Sequence, residues 1–189
     1  MKKFLFLCCV VLTQLSCTTK EISSEGSQES NTYKHVSGLF EFPSEIGSFK
    51  RTKVTNFNDL GTDVGISYQM KSASTLVVTI YAYPTPKLND GESADLITHY
   101  YSEEDGIISQ IEGTKQISWP IEIPQWNDEG VSCTLSAYDL GGMEIMVSIL
   151  QLCDYGEWRL KLRTSYHIDD AKESAINIDE LHRLFKWSK

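Results

Sequence analysis

The residues best suited to acid–base or metal chemistry are four histidines, at His35, His99, His167 and His182. No two of them have the spacing of an HExxH zinc helix, and the sequence contains no CxxC pair, P-loop, GxGxxG loop or GxSxG elbow. A Ser or Cys nucleophile paired with His167 stays open, although no residue pattern marks one. The sequence therefore predicts no catalytic residue, no metal ligand and no cofactor.

Cys17 is placed for covalent attachment of a lipid. Two lysines near the start are followed by nine uninterrupted apolar residues over 4–12. Because a bilayer-spanning helix needs about 20 apolar residues, this run is typical of a secretory signal peptide. The cysteine behind it resembles that of a bacterial lipoprotein cleavage box, in which a fatty acyl chain such as palmitate is attached and the cysteine becomes the first mature residue. The box departs from the usual pattern at Gln14, where a Leu is usual, and a plain secreted protein cleaved nearby is the alternative.

Three segments follow from this reading of the N-terminus. Residues 1–16 are predicted to be the signal peptide, 17–37 the lipidated cysteine with a disordered tether, and 38–189 a single folded domain. The tether is rich in Ser, Thr, Glu and Lys, so it buries too little apolar surface to offset the entropy of ordering. The folded body has roughly 150 residues, which is enough for one hydrophobic core.

The charge balance excludes one class of partner. The chain of 189 residues has 17 Lys and Arg against 26 Asp and Glu, which gives a net charge of −9. Nucleic-acid binding depends on basic side chains that neutralise phosphates. We therefore expect no nucleic-acid partner.

Two segments are candidates for an interaction surface. Arg159, Lys161 and Arg163 alternate with apolar residues and so form a basic row on one face of a predicted strand. Trp119 and Trp126 flank two prolines in an extended segment. The alternatives are an ordinary solvent-exposed strand face, which its charge protects from aggregation, and a cover over one end of the core.

Whether the two cysteines of the folded body, Cys133 and Cys153, can form a disulfide depends on the register of the late strands. If Gly141 and Gly142 form a tight two-residue turn, Cys133 lies opposite Leu150. Cys153 then points to the other face of the sheet, and two separate buried cysteines are favoured over a disulfide. A bulge or a different turn would restore the bridge, which an oxidising compartment would permit.

The positioning elements are predicted from residue periodicity. Alternating and β-branched patterns predict strands over 63–70, 76–83, 131–138, 144–152 and 157–166. Apolar residues at three- and four-residue spacing predict a helix of about 20 residues from Leu96, and a second helix is predicted over 170–187. Short connections make the late strands antiparallel. The predicted class is α+β, an antiparallel β-sheet with two packed helices in a single domain.

Four segments of the body, 42–51, 64–68, 79–83 and 160–166, resemble small and largely uncharacterised bacterial envelope domains. The resemblance covers most of residues 39–166. It implies an exported α+β domain similar to the α-β sandwiches of the PsbP/Mog1 type. It implies no activity and no catalytic residues.

From the lipid anchor and the domain together, we expect a binding or accessory module of the cell envelope. Its expected partners are the membrane, reached through the lipid, and another envelope protein. In a Gram-negative cell the location would be the outer membrane or the cell surface. The alternatives are an envelope hydrolase with an unmarked active site and a purely structural envelope protein. A pocket that joins His99 or His167 to a carboxylate, Ser or Cys would favour the hydrolase.

Overall fold

A computed structural model of the chain describes residues 31–72, 76–110, 113–117, 131–141 and 146–185. The predicted signal peptide, Cys17, Trp119 and Trp126 lie outside the described residues. Within those ranges, no helix is long and apolar enough to cross a bilayer. The elements are β1 (Thr32–Lys34), β2 (Glu41–Pro43), β3 (Glu45–Ile46), β4 (Phe49–Asn56), β5 (Val64–Met70), β6 (Val77–Pro84), α1 (Leu96–Gln110), β7 (Lys115–Ile117), β8 (Ser132–Asp139), β9 (Met146–Asp154), β10 (Trp158–His167), a 3-10 turn (Ile168–Asp170) and α2 (Ala171–Leu184).

Within the described ranges, eight strands form one sheet in the order β3-β4-β5-β6-β10-β9-β8-β7, with antiparallel pairing between all neighbours. β1 and β2 form a separate short antiparallel pair. The consecutive strands β8, β9 and β10 lie side by side, as their short connections predicted. β10 then lies beside β6, which places both strands at the centre of the sheet. The predicted α+β class, with one antiparallel sheet and two helices, is confirmed.

The main core lies on one face of the sheet, beneath α2 and the β1–β2 hairpin. Leu160 and Leu162 point to this face because they alternate along β10 with the three basic residues. Phe42 of the hairpin packs against Phe185, which follows α2, with their ring centroids 5.7 Å apart. Leu181 of α2 is fully buried in the same cluster. The hairpin and the C-terminal helix thus close one apolar layer together.

The opposite face of the sheet carries α1 over a smaller core. Tyr100 and Ile107 of the helix pack against Tyr138 and Leu150. The hydroxyl groups of Tyr100 and Tyr138 lie 3.1 Å apart, and Tyr138 donates a 2.8 Å hydrogen bond to Glu104. These bonds let two tyrosines be buried, because each polar tip has a partner.

α1 begins after Asp95, which caps it. The carboxylate of Asp95 accepts hydrogen bonds from the backbone N–H and the hydroxyl of Thr98, at 2.8 and 2.7 Å. The described helix has 15 residues, fewer than the 20 expected. Gly113 follows with φ +90°, a backbone conformation that suits glycine and does not continue a right-handed helix.

The fold begins earlier in the chain than predicted. β1 pairs with β2 through Thr32, Tyr33 and Lys34, all of which fall in the segment expected to be a disordered tether. His35 is buried and packs edge-on against the ring of Trp158, at a centroid distance of 4.8 Å. Residues 32–37 therefore belong to the folded domain, and the predicted start at residue 38 is wrong. Tyr33 and His35 give this segment its packing surface, since the ring of Tyr33 also lies 6.3 Å from that of Phe42.

The favoured interpretation of the body cysteines is also wrong. Cys133 and Cys153 lie directly opposite each other on β8 and β9 and form a disulfide, with Cα atoms 4.1 Å apart. The N–H of Leu140 donates to the carbonyl of Met146, so the connection between the strands is longer than two residues. The partner of Cys133 is therefore Cys153, three residues beyond the expected Leu150. Because side chains alternate between the faces of a sheet, this odd shift places Cys153 on the same face as Cys133.

Candidate functional site

One cluster of ionisable side chains lies between α1 and the sheet. We call Tyr83, His99, Glu103 and Lys161 the His99 cluster. His99 and Glu103 are four residues apart on α1 and therefore lie on the same side of the helix. Lys161 is in register with Tyr81 of β6, one pleat from Tyr83 on the same face.

Glu103 is the centre of the cluster. Its Oε1 accepts a 2.8 Å hydrogen bond from Lys161 Nζ and lies 3.6 Å from His99 Nε2. The Tyr83 hydroxyl lies 3.5 Å from the same histidine nitrogen. The ammonium of Lys161 also sits over the ring of Tyr81, 4.7 Å from its centroid, and is held by a cation–π contact as well as an ion pair. The cluster therefore ties α1 to two central strands.

The electrostatics of the cluster fix two protonation states. Burial by itself would raise the pKa of Glu103, but hydrogen bonds and positive charge from His99 and Lys161 outweigh it and lower this pKa to about 2. Burial, together with the charge of Glu103, raises the pKa of Tyr83 far above its usual value. Glu103 is thus a carboxylate and Tyr83 a neutral phenol throughout the physiological pH range. Neither group can act as a general acid or base near pH 7 without leaving this arrangement.

The contacts of His99 also bear on nucleophilic catalysis. Among the described residues, its polar neighbours are Tyr83 and Glu103, and its Nδ1 is buried without a hydrogen-bond partner. A serine or cysteine hydrolase would need a hydroxyl or thiol within hydrogen-bond reach of this ring. The described residues form no group of three or more potential metal ligands. The geometry here is that of a packed ion-pair network.

The predicted basic row does not face solvent. Arg159 is only 2% exposed, and its guanidinium donates to Asp154, to Thr85 Oγ1 at 3.0 Å and to the carbonyl of Ala94 at 2.9 Å. It joins the end of β9 to the connection between β6 and α1. This use of one planar fork for several acceptors suits arginine, and it leaves little of the guanidinium for an outside ligand.

The other two members of the row are likewise engaged inside the protein. Lys161 belongs to the His99 cluster, and Arg163 is half-buried and donates a 3.2 Å hydrogen bond to Ser148. The prediction of an open basic surface is therefore wrong for Arg159 and Lys161. Alternation showed which side chains share a face of β10, but it gave no sign that α1 would cover that face.

A second feature, which the sequence did not single out, is an exposed apolar tip at one end of the sheet. We call residues 57–63, the turn between β4 and β5, together with Val36 the β4–β5 tip. Leu60 is 77% exposed, Val36 58% and Phe57 56%. A Cβ atom on Gly61 would lie 3.4 Å from Val36 Cγ1, so the β1–β2 hairpin and this turn meet here.

The turn is held in shape by its own polar groups. Asn58 Oδ1 accepts the N–H of Thr62 at 3.0 Å, and the Asn58 amide donates to the Thr62 hydroxyl at 2.8 Å. Gly61 has φ +66°, the left-handed conformation that glycine adopts without steric cost. Phe57 stacks on Tyr81 with ring centroids 6.1 Å apart. The tip thus presents Leu60 from a fixed backbone.

The chain is thus an α+β protein that has a buried ion-pair network, the His99 cluster, under α1 and an exposed apolar turn, the β4–β5 tip. No protein-family model and no curated protein sequence matches the chain. Among solved structures, it is similar to cyanobacterial PsbP (CyanoP) from Synechocystis sp. PCC 6803, determined in solution. The TM-score is 0.49 and the sequence identity is 9%, over 87% of this chain and 97% of that chain. The likeness is one of chain path, and no residue role follows from it.

Proposed function

We propose that the chain is an exported, lipid-anchored binding or accessory module of the bacterial cell envelope. The observation that carries this proposal is the Cys133–Cys153 disulfide. Structural disulfides persist in oxidising compartments and are rare in the cytosol. The basic start and the nine-residue apolar run ahead of Cys17 support the same destination, since they are typical of a secretory signal peptide.

The anchor in this proposal is an acylated Cys17. One acyl chain holds a protein only marginally at a membrane, whereas two or three make the attachment effectively permanent. Asn31, where the described chain begins, is the fourteenth residue after Cys17. Such a segment spans at most about 50 Å when fully extended, so the anchored domain would stay close to the bilayer.

Binding is favoured over catalysis by the state of the His99 cluster. Glu103 is committed to Lys161, with its pKa held at about 2. The cluster has the character of a structural network that fixes α1, and the most exposed large apolar side chain of the described residues, Leu60, lies at the β4–β5 tip. Binding of a partner at the tip thus requires no conformational change, whereas hydrolysis at His99 would require the ion pairs of the His99 cluster to break.

The test is the intact mass and membrane fractionation of the full chain expressed with its own N-terminus. We expect a mass that corresponds to residues 17–189 plus acyl chains, in the membrane fraction. Cys17→Ala should abolish both properties. Cys9→Ala, a cysteine replacement inside the apolar run, is the matched control and should leave both unchanged. A soluble product without acyl groups would contradict the anchor, and free thiols at Cys133 and Cys153 would contradict export.

One observation favours the hydrolase alternative, namely that His99 lies next to the carboxylate of Glu103. This alternative is tested by assaying the purified chain on ester, amide and glycoside substrates. We expect no turnover from the wild type. Turnover that His99→Gln abolishes, while the variant keeps the wild-type melting temperature, would replace the binding proposal with an enzymatic one.

A further inference from the structure

We infer that the β4–β5 tip docks onto the surface of the bilayer that holds the Cys17 lipid. The occupant we assign to this surface is a bilayer interface of zwitterionic phospholipids, which carry no net charge. The inference rests on the proposed lipid anchor and adds to it a defined orientation of the domain.

The first support is the way in which the tip exposes its apolar side chains. Leu60 is the most exposed large apolar residue among those described, and Phe57 and Val36 flank it at more than half exposure. A hairpin turn needs only small or polar residues, so water-exposed Leu and Phe in it call for a partner. The hydrogen bonds between Asn58 and Thr62 fix the turn before any contact forms, which lowers the entropy lost on docking.

The second support is the position of the tip relative to the anchor. The described chain begins at Asn31 and follows β1, and Val36 lies in the turn that comes two residues after the end of this strand. Up to about 50 Å of chain separates Asn31 from Cys17. The tip therefore lies within reach of the membrane plane and needs to enter only the outermost 5–10 Å of the interface, approximately the depth at which amphipathic surfaces bind.

The third support is charge, which selects the kind of lipid. Asp59 is exposed beside Leu60, and Asp63 closes the turn. Of the basic residues on the β1–β2 hairpin, His35 is buried, and Lys34 is paired with Glu41 at 2.9 Å. Anionic bilayers recruit clusters of basic residues, which this tip does not offer. Apolar insertion into zwitterionic lipid meets no such mismatch.

The experiment places an environment-sensitive probe at the tip of the acylated full chain. Asp59→Cys provides the tip site, and Lys50→Cys, near the other end of β4, provides the reference site. The mature chain would offer no competing free thiol, because Cys17 carries the lipid and Cys133 is bridged. Each labelled chain is reconstituted into phosphatidylcholine–phosphatidylethanolamine vesicles. Nitroxides on the acyl chains should quench the tip probe about threefold more than the reference probe, and aqueous iodide should quench it about threefold less.

Two further substitutions identify the contacting side chain. In the Asp59→Cys background, Leu60→Ser should reduce nitroxide quenching to the reference level. Ile97→Ser, which removes an exposed apolar side chain from α1, should leave it unchanged. The opposite pattern would show that α1 faces the membrane and would overturn the inference.

The remaining outcomes separate this inference from the proposed function. An acylated chain whose two probes are quenched equally would refute docking while the lipid anchor stands. A chain whose mass shows no acyl groups would refute both. Shielding of the tip from iodide without nitroxide quenching would indicate a protein partner or a second copy on the tip, and would also overturn the assignment to lipid.

Discussion

Breaking the ion pair between Glu103 and Lys161 should destabilise the fold far more than breaking a surface pair of the same length. The two partners are 2.8 Å apart, and their side chains are only 24% and 16% exposed. The pKa of Glu103 falls from 4.5 to about 2 on folding. A difference of this size is worth about 3 kcal/mol at pH 7. Glu103→Gln should therefore cost about that much, and it also leaves the Lys161 ammonium half-buried without its counter-charge.

The assay is urea denaturation of the wild type and Glu103→Gln, repeated from pH 7 down to pH 2. Because the pKa of Glu103 is lowered on folding, its contribution is complete above pH 4.5 and is lost as the pH falls towards 2. The difference between the two proteins should therefore be largest at neutral pH and shrink in acid. For a domain of this size the neutral-pH loss corresponds to a drop in melting temperature of about 6–12 °C.

The matched control is Glu45→Gln. Glu45 and Lys71 are 2.9 Å apart, but their side chains are about half exposed. Exposed pairs contribute little, because water and salt screen them, so this variant should unfold with the wild type. Equal effects of Glu103→Gln and Glu45→Gln, or an effect of Glu103→Gln that does not change with pH, would refute the argument from burial.

Three further changes test other parts of the fold. Replacing both Cys133 and Cys153 by Ala removes a disulfide that joins positions 20 residues apart, and the free energy of unfolding measured in urea should fall by about 3 kcal/mol. An unchanged urea midpoint, compared with wild type under oxidising conditions, would contradict the bridge. Gly106→Ala should stabilise α1 by about 1 kcal/mol, because a Cβ there meets no atom of the described residues within 4 Å. Gly47→Ala should instead destabilise the fold by at least about 1 kcal/mol, because Gly47 has φ +54° and a Cβ would lie 2.9 Å from a neighbouring side chain. Thermal melts that rank the two variants alike would contradict this prediction. Burial lowers the pKa of His182 to about 4, so between pH 6.5 and 4 this ring is protonated in the unfolded chain and neutral in the folded chain. The free energy of unfolding should therefore fall as the pH drops from 6.5 towards 4. His182→Gln should flatten this part of the pH profile, and a profile that keeps its slope would argue against a neutral buried ring.

The order of the main elements was predictable because their signals are local. Alternating or β-branched patterns, together with glycine-containing turns, marked β5, β6, β8, β9 and β10 within about two residues of their ends. Repeats at three and four residues marked both helices. The weaker strands β1 and β7 have three residues each, too few to show a period, and the sequence did not reveal them. The predictions for residues 1–16 and for Cys17 remain predictions.

The candidate sites were less predictable because they depend on which elements meet. His99 was named as a histidine of interest, but Glu103 was not, although their four-residue spacing on a predicted helix was visible in the sequence. Lys161 and Tyr83 come together only because β10 returns to lie beside β6. The β4–β5 tip likewise combines residues from two separate hairpins. A local sequence pattern does not show which residues from separate elements will lie close together in the fold.

The sequence by itself determined the composition class, the α+β order of elements and the alternation of Arg159, Lys161 and Arg163 along one strand face. Only the tertiary structure decided that α1 covers this face and that an unexpectedly long connection brings Cys133 opposite Cys153. Both outcomes have the same physical reason. Periodicity along one strand is set by local backbone geometry, whereas the register and cover of a sheet are set by loop length and by which apolar faces pack together.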